Sequence, residues 1–144
     1  MTLTPKSRIL AVDFGDARTG LAATDWTGTI SVPLPRIDSR DQQDVIRQVL
    51  QVALERNIDG LVVGMPLTLD GTVGERAQRT QQFVEQLRAA ISSPVATIDE
   101  SHTTDEAHER LKQGGMKAKK RKDHADSVAA LVILERYRES LRHG

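Results

Sequence analysis

The sequence of 144 residues contains no cysteine. Without thiols the chain can form no disulfide, no thiolate metal site and no cysteine nucleophile. It also lacks any apolar run approaching the roughly 20 residues that span a bilayer. The segment before Arg8 has no apolar core typical of a signal peptide. We therefore expect a cytoplasmic protein with no membrane partner.

A net charge is also missing, because 20 Lys and Arg residues balance 20 Asp and Glu residues. The charge is unevenly distributed, since residues 110–122 include many basic residues and no acid. A local basic patch on a neutral protein favours contact with nucleic acid, whereas a solvated loop would have the same composition. The candidate contacts in this predicted basic loop are Lys117, Lys119, Lys120, Arg121 and Lys122.

One acid interrupts the most apolar stretch of the chain, Ile9 to Phe14. A run this apolar is typical of a strand buried on both faces of a sheet. Asp13 in such a strand is costly unless a partner compensates its charge. Two interpretations are open at this point. Asp13 either contributes to a cation site at the end of the strand or caps the turn at Gly15.

The elements expected along the chain follow the order β-β-β-α-β-α-β-α-α. Three strands come first, at Arg8–Phe14, Thr19–Thr24 and Thr29–Arg36. Two more strands alternate with helices, and such units usually pair in parallel through right-handed crossovers. Capping-box spacings predict three helix starts, at Ser39, Thr72 and Thr103, and the last helix is expected from Asp123 or His124.

This order predicts an α/β fold with a mixed five-stranded sheet, the first three strands antiparallel, and helices on both faces. The order is that of the ribonuclease H-like fold, in which the first strand is central and the fourth lies beside it. The length suits a single domain over residues 1–144, with its core from about residue 8 to 142.

In this topology three acids distant in sequence meet at one edge of the sheet. Asp13 ends the first strand, Glu100 follows the fifth, and Asp126 lies early in the last helix. Asp99 competes with Glu100, but neighbouring strand residues point to opposite faces, so only one can join the cluster. Asp123 precedes Asp126 by three residues and is a candidate fourth ligand.

A carboxylate cluster of this kind suits Mg²⁺ or Mn²⁺, which prefer oxygen ligands in octahedral geometry. Two such ions, roughly 3.5–4 Å apart, can clamp a phosphodiester, activate the attacking water and stabilise the leaving oxygen. Each acid also has a structural interpretation, because Asp126 would favour the helix dipole and Glu100 could simply be solvated.

Four segments resemble the motifs of the YqgF/RuvX family, in the family's order and over roughly residues 8–138. They are the segment from Asp13 to Ala22, the segment from Val63 to Gly71, Asp99-Glu100 with Thr103-Thr104, and the segment from Asp126 to Leu134. The resemblance implies a ribonuclease H-like nuclease related to Holliday-junction resolvases, expected to process the 5′ end of precursor 16S ribosomal RNA. The resemblance also implies that Asp13, Glu100 and Asp126 are the catalytic acids.

The third motif departs from the family, because Ser101 and His102 replace its usual arginine and apolar residue. That arginine could position a phosphate or hold the acids, so the departure puts substrate affinity or activity in doubt. Arg18 in the first motif remains as a candidate contact to the substrate backbone, although a solvated turn arginine would look the same.

The expected function is metal-dependent cleavage of structured RNA, with ribosomal precursor particles as candidate partners. One alternative keeps the chemistry but takes branched DNA as substrate, and a homodimer with two suitably spaced sites would favour it. A second alternative is a nucleic-acid-binding protein whose catalysis is weakened by the altered third motif. An ATP-binding fold of the actin type is disfavoured, because it needs two such domains.

Overall fold

The computed structural model describes residues 3–66, 74–99 and 118–143, and in the last range it describes side chains from Ser127 onward. Five strands form one sheet, in the order β3-β2-β1-β4-β5. The strands are β1 (Ile9–Asp13), β2 (Arg18–Thr24), β3 (Ser31–Asp38), β4 (Gly60–Met65) and β5 (Val95–Asp99). The first three pair antiparallel, whereas β1 with β4 and β4 with β5 pair in parallel. The predicted fold class and the central position of β1 are confirmed.

Three helices are described: α1 (Gln42–Glu55), α2 (Glu75–Ala90) and α3 (Ala118–His143). The first two pack on one face of the sheet, where Phe83 and Leu87 of α2 join Val49 of α1. The third packs on the opposite face through Ala130, Ile133 and Leu134. The helix predicted to begin at Thr103 lies outside the described residues.

Strand alternation explains why β1 is apolar throughout. Leu10 and Val12 belong to the core beneath α1 and α2, whereas Ile9 and Ala11 belong to the core beneath α3. All four are fully buried. A central strand covered on both faces cannot show the polar and apolar alternation of a half-exposed strand.

Edge strand β3 contains Pro33 and Pro35, as the sequence predicted. Proline lacks an N–H donor, so it is tolerated where one side of a strand has no partner. The preceding turn is closed by Asp25, whose carboxylate accepts hydrogen bonds from the backbone N–H groups of Thr29 and Ile30. Trp26 in this turn is 72% exposed.

The starts of α1 and α2 differ from the predicted capping residues. Asp41, rather than Ser39, caps α1 by accepting a hydrogen bond from the Gln43 N–H at 3.0 Å. Asp is as good a cap as Ser and stands immediately before the first helical residue. The N-cap of α2 is Gly74, and the predicted cap Thr72 is outside the described residues.

The segment predicted as a basic loop is helical from Ala118 onward, because α3 begins there rather than at Asp123 or His124. Alanine, lysine and arginine have high helix propensities, and no Gly or Pro interrupts residues 118–143. None of the described helices is long and apolar enough to cross a membrane.

Candidate active site

Asp13 is the last residue of the central strand and is mostly shielded, with its side chain 12% exposed. In the antiparallel pairing of β1 with β2, Asp13 lies opposite Gly20. By strand alternation it belongs to the same face as Ile9 and Ala11, the face covered by α3. The acid therefore lies at the carboxyl edge of the sheet, where β1, β4 and β5 all end.

The turn after Asp13 is shaped by Gly15. A Cβ atom at this position would lie 2.3 Å from the carbonyl oxygen of Arg18, closer than any real contact. The tight turn holds Asp16 and Arg18 at the rim, beside Asp13. This explains in physical terms why the first motif has glycine two residues after the acid.

Two arginines from the first two turns of α2 reach this edge. Arg76 Nη2 lies 3.8 Å from Asp13 Oδ1. Arg79 Nη2 lies 3.2 Å from Asp16 Oδ2, and its Nη1 lies 3.6 Å from Glu75 Oε1. The beginning of α2 is thus tied to the turn between β1 and β2.

A pocket of about 250 Å³ opens at this edge. Its lining residues are Asp13, Gly15, Asp16, Ala17, Arg18 and Arg76. The pocket combines a shielded carboxylate with guanidinium groups on its rim. Such a combination suits a ligand that carries both a cation and a phosphate.

Neither Arg76 nor Arg79 was predicted as a site residue. Their three-residue spacing at a helix start places both on one face of α2, and that spacing is the signal available in the sequence. What the sequence does not indicate is that α2 begins beside Asp13. That proximity depends on how the crossover returns to the sheet.

On β5, alternation separates the two neighbouring acids. Ala96 and Ile98 pack against the core beneath α3, whereas Val95 packs on the opposite side. Asp99 has the parity of Val95, so it belongs to the face opposite Asp13. Its side chain is exposed, and its carbonyl oxygen accepts a hydrogen bond from Arg136 Nη1 at 3.3 Å. Glu100 lies outside the described residues.

The direction of α3 is fixed by hydrogen bonds at two levels of the sheet. Ser127 Oγ donates to the Leu34 carbonyl oxygen at 2.8 Å, and Leu34 pairs with Leu21, which pairs with Val12. Arg138 donates to carbonyl oxygens near the opposite end of β3. The first half of α3 therefore extends toward the carboxyl edge.

This direction places the backbone of Asp126, next to Ser127, on the α3 face near the edge where Asp13 lies. The side chains of Asp123, Asp126 and the basic residues from Lys119 to Lys122 are not described, and Lys117 is outside the described residues. Among the side chains that are described, no three acids or histidines are grouped closely enough to hold a metal ion. The predicted cluster thus stays a prediction.

Comparison with known families and proteins places this geometry in context. The sequence model of the RuvX family, described as Holliday junction resolvase, matches residues 7–140. The chain is 37% identical over 134 residues to a protein of Chloroflexus aurantiacus, covering 93% of this chain and 88% of that one. It is 31% identical over 141 residues to a protein of Rickettsia peacockii, covering 98% and 92%. Both relatives are named as proposed pre-16S rRNA nucleases.

Solved structures of similar fold include RuvC of T. thermophilus in complex with a Holliday junction substrate. Its TM-score is 0.59 at 16% identity, with 94% of this chain and 97% of that chain covered. Fowlpox virus resolvase with its Holliday junction DNA has a TM-score of 0.57 at 14% identity, with 93% and 98% covered. At such low identity these likenesses show the fold alone, and that fold is ribonuclease H-like.

Proposed function

The chain belongs to the RuvX family, and from this premise we propose that it is a metal-dependent nuclease that processes the 5′ end of precursor 16S rRNA. The observation that supports this most directly is the position of Asp13, a shielded carboxylate at the carboxyl end of the central strand. The names of the relatives support the substrate. This substrate implies ribosomal precursor particles as partners and the cytoplasm as the location.

The residues we propose for the metal site are Asp13, Glu100 and Asp126, with Asp123 as a candidate fourth. Asp13 fits the role because carboxylate oxygens are hard donors suited to Mg²⁺ or Mn²⁺. Glu100 directly follows β5 in the sequence, and the resemblance of Asp99-Glu100 to the third family motif supports it. The direction of α3 supports Asp126.

The ions, when bound, would supply the charge that lowers the pKa of the attacking water and stabilises the leaving oxygen. The protein's own part is to hold the acids at fixed positions on a rigid sheet and helix. Three carboxylates kept close would otherwise repel one another and take up protons. Binding of cations would therefore relieve the repulsion among the three proposed ligands.

The basic residues would hold the nucleic-acid backbone beside this site. Arg18 lies at the start of β2 on the rim of the pocket. Lys119, Lys120, Arg121 and Lys122 lie in the part of α3 that extends toward the same edge, and Lys117 precedes it. Contacts to phosphates of this kind predict an affinity that falls steeply with salt.

Single substitutions of the three acids test the proposal. Asp13→Asn, Glu100→Gln and Asp126→Asn should each lower cleavage of a precursor 16S rRNA 5′-end substrate in Mg²⁺ or Mn²⁺ at least about 100-fold. Changing a residue that only supports a metal ligand already costs up to about 100-fold in activity, and loss of a ligand itself should cost at least as much. Asp99→Asn, on the face of the sheet opposite Asp13, is the matched control and should retain activity. Full activity in all three variants would refute the assignment.

Branched DNA is the second candidate substrate, because the family model is described as Holliday junction resolvase. Cleavage of the rRNA substrate and a four-way junction should be compared side by side at equal metal and salt. Preferential cleavage of the four-way junction, together with a measured molecular mass that corresponds to a dimer, would favour the resolvase function. RNA binding without cleavage in any metal would instead favour the weakened nucleic-acid-binding protein that Ser101 and His102 suggest.

A further inference from the structure

We propose that Arg76 is a phosphate-binding residue that exchanges its contact with Asp13 for the substrate when a divalent cation binds. The inference rests on the proposed function, because it requires a phosphodiester at this edge. It assigns a role to a side chain outside all four sequence motifs that support the family resemblance.

Distance and exposure distinguish Arg76 from its neighbour Arg79. Arg79 is held between two acids, and it donates a hydrogen bond to Asp16 at 3.2 Å. Arg76 faces Asp13 at 3.8 Å, beyond normal hydrogen-bond length, and 56% of its side chain is exposed. At this distance the two side chains form an ion pair without a hydrogen bond, and the half-exposed guanidinium can reorient into solvent while Asp13 stays shielded.

Charge supplies the reason for the exchange. Arg76 and a divalent cation would compete for the same carboxylate, and a cation at Asp13 would repel the guanidinium. The displaced side chain stays within reach of the pocket, because its backbone lies in the first turn of α2. Arg76 lines this pocket together with Arg18. A guanidinium matches the geometry of two phosphate oxygens, so the substrate offers it a better partner than solvent does.

The test compares Arg76→Gln with Arg142→Gln. Arg142 is the matched control because its side chain is 54% exposed and also pairs with one carboxylate, that of Glu139, near the far end of α3. The probe is the precursor 16S rRNA 5′-end fragment, with its Kd measured in Ca²⁺ across a range of salt concentrations. A second measurement records Mn²⁺ binding to the free protein by calorimetry.

For Arg76→Gln we expect about tenfold weaker RNA binding and a salt slope reduced by about 0.7–0.9, the contribution of one phosphate contact. Mn²⁺ affinity should rise several-fold, because a competing cation has been removed from Asp13. Arg76→Lys should retain the salt slope, since it keeps the charge. Arg142→Gln should change neither measurement.

Wild-type Kd and salt slope in Arg76→Gln would overturn the role of Arg76. So would a fall in Mn²⁺ affinity, which would mean that the arginine supports the site instead of competing with the ion. If Asp13→Asn abolishes cleavage in the same preparations, the proposed function stands while this inference fails. Failure of the wild-type protein to bind or cleave either nucleic acid would overturn both.

Discussion

Gly15 shows how a single residue sets the geometry of the pocket. Its missing side chain lets the backbone of the turn approach the Arg18 carbonyl oxygen, which would lie 2.3 Å from a Cβ atom. Backbone atoms cannot move aside as a flexible side chain does. A larger residue must therefore change the turn that places Asp16 and Arg18 beside Asp13.

Gly15→Ala should destabilise the protein by about 1–3 kcal/mol, the usual cost of forcing extra atoms into a closed space. Urea unfolding monitored by circular dichroism measures this change. Asp16→Ala in the same turn removes only an exposed ion pair and should cost less than about 1 kcal/mol. Equal stabilities of the Gly15 variant and wild type would contradict the steric argument.

Asp25 gives the stability of the β2–β3 turn a pH dependence. The pKa of this carboxyl group is lowered, and the largest cause is the hydrogen bond from the Ile30 N–H. Desolvation, the next largest cause, raises the pKa, whereas hydrogen bonds from Thr29 and Thr27 lower it further. A lowered folded-state pKa stabilises the protein above the unfolded value of about 3.9. This contribution is lost as the pH falls through the folded-state pKa.

Asp25→Asn should therefore lower the Tm at pH 7, and the difference from wild type should shrink as the pH falls below about 4. Thermal unfolding of the two proteins at pH 7 and at several pH values below about 4 measures the effect. Comparison with wild type at each pH cancels the titration of other acids. A difference in Tm that is constant with pH would rule out Asp25 as the titrating group.

Helix α3 is held to the sheet by two buried or partly buried polar anchors. Arg138 is 7% exposed, and its guanidinium donates hydrogen bonds at 2.7–2.9 Å to Gly28 and Thr29 of the β2–β3 connection and to Ser31, the first residue of β3. Ser127 supplies the second anchor, at the level of Leu34. Together they set the direction in which Asp126 is carried to the carboxyl edge.

Arg138→Ala should cost about 2–4 kcal/mol, because it removes buried hydrogen bonds and leaves carbonyl oxygens unsatisfied. Equilibrium urea unfolding is the measurement, and Arg138→Lys should lose less because it keeps a charged donor. Arg142→Ala, one turn later and exposed, should cost less than about 1 kcal/mol. A loss from Arg138→Ala no larger than that from Arg142→Ala would show that the anchor is dispensable.

The start of α3 also shows where local patterns mislead. The sequence predicts the last helix from Asp123 or His124, yet the helix begins at Ala118. The high helix propensity of the Ala, Lys and Arg residues before Asp123 accounts for the earlier start. For α1, the cap nearer to the first helical residue is used, Asp41 rather than Ser39.

At the scale of the whole molecule, one sheet separates two apolar cores. Phe14 and Phe83 stack on one side with ring centroids 4.2 Å apart, and Ile133 is fully buried on the other. Both cores contain side chains of the same central strand β1. Two cores that share the strand β1 should unfold as one unit.

Phe83→Ala should destabilise the protein by about 3–5 kcal/mol and Ile133→Ala by about 2–5 kcal/mol, the usual costs of a buried cavity. Calorimetry should give one transition for each variant, with calorimetric and van't Hoff enthalpies in agreement. Gln78→Ala, exposed on α2, is the control for substitution in a helix. Two separable transitions would contradict the prediction of a single domain.

The sequence by itself determined the order of the strands along the chain, the buried character of β1 and the apolar faces of the helices. These follow from local periodicity and from proline and glycine positions, which act over a few residues. It also indicated Asp13 as a site residue, because an acid in an apolar strand is costly.

Only the tertiary structure decided which groups surround that acid. Arg76 and Arg79 approach the β1–β2 turn because the crossover sets the beginning of α2 at this edge, more than 60 residues along the chain from Asp13 and Asp16. The register of β5 assigned Asp99 to the opposite face. Distances between remote segments depend on packing of the whole sheet, so no local pattern encodes them.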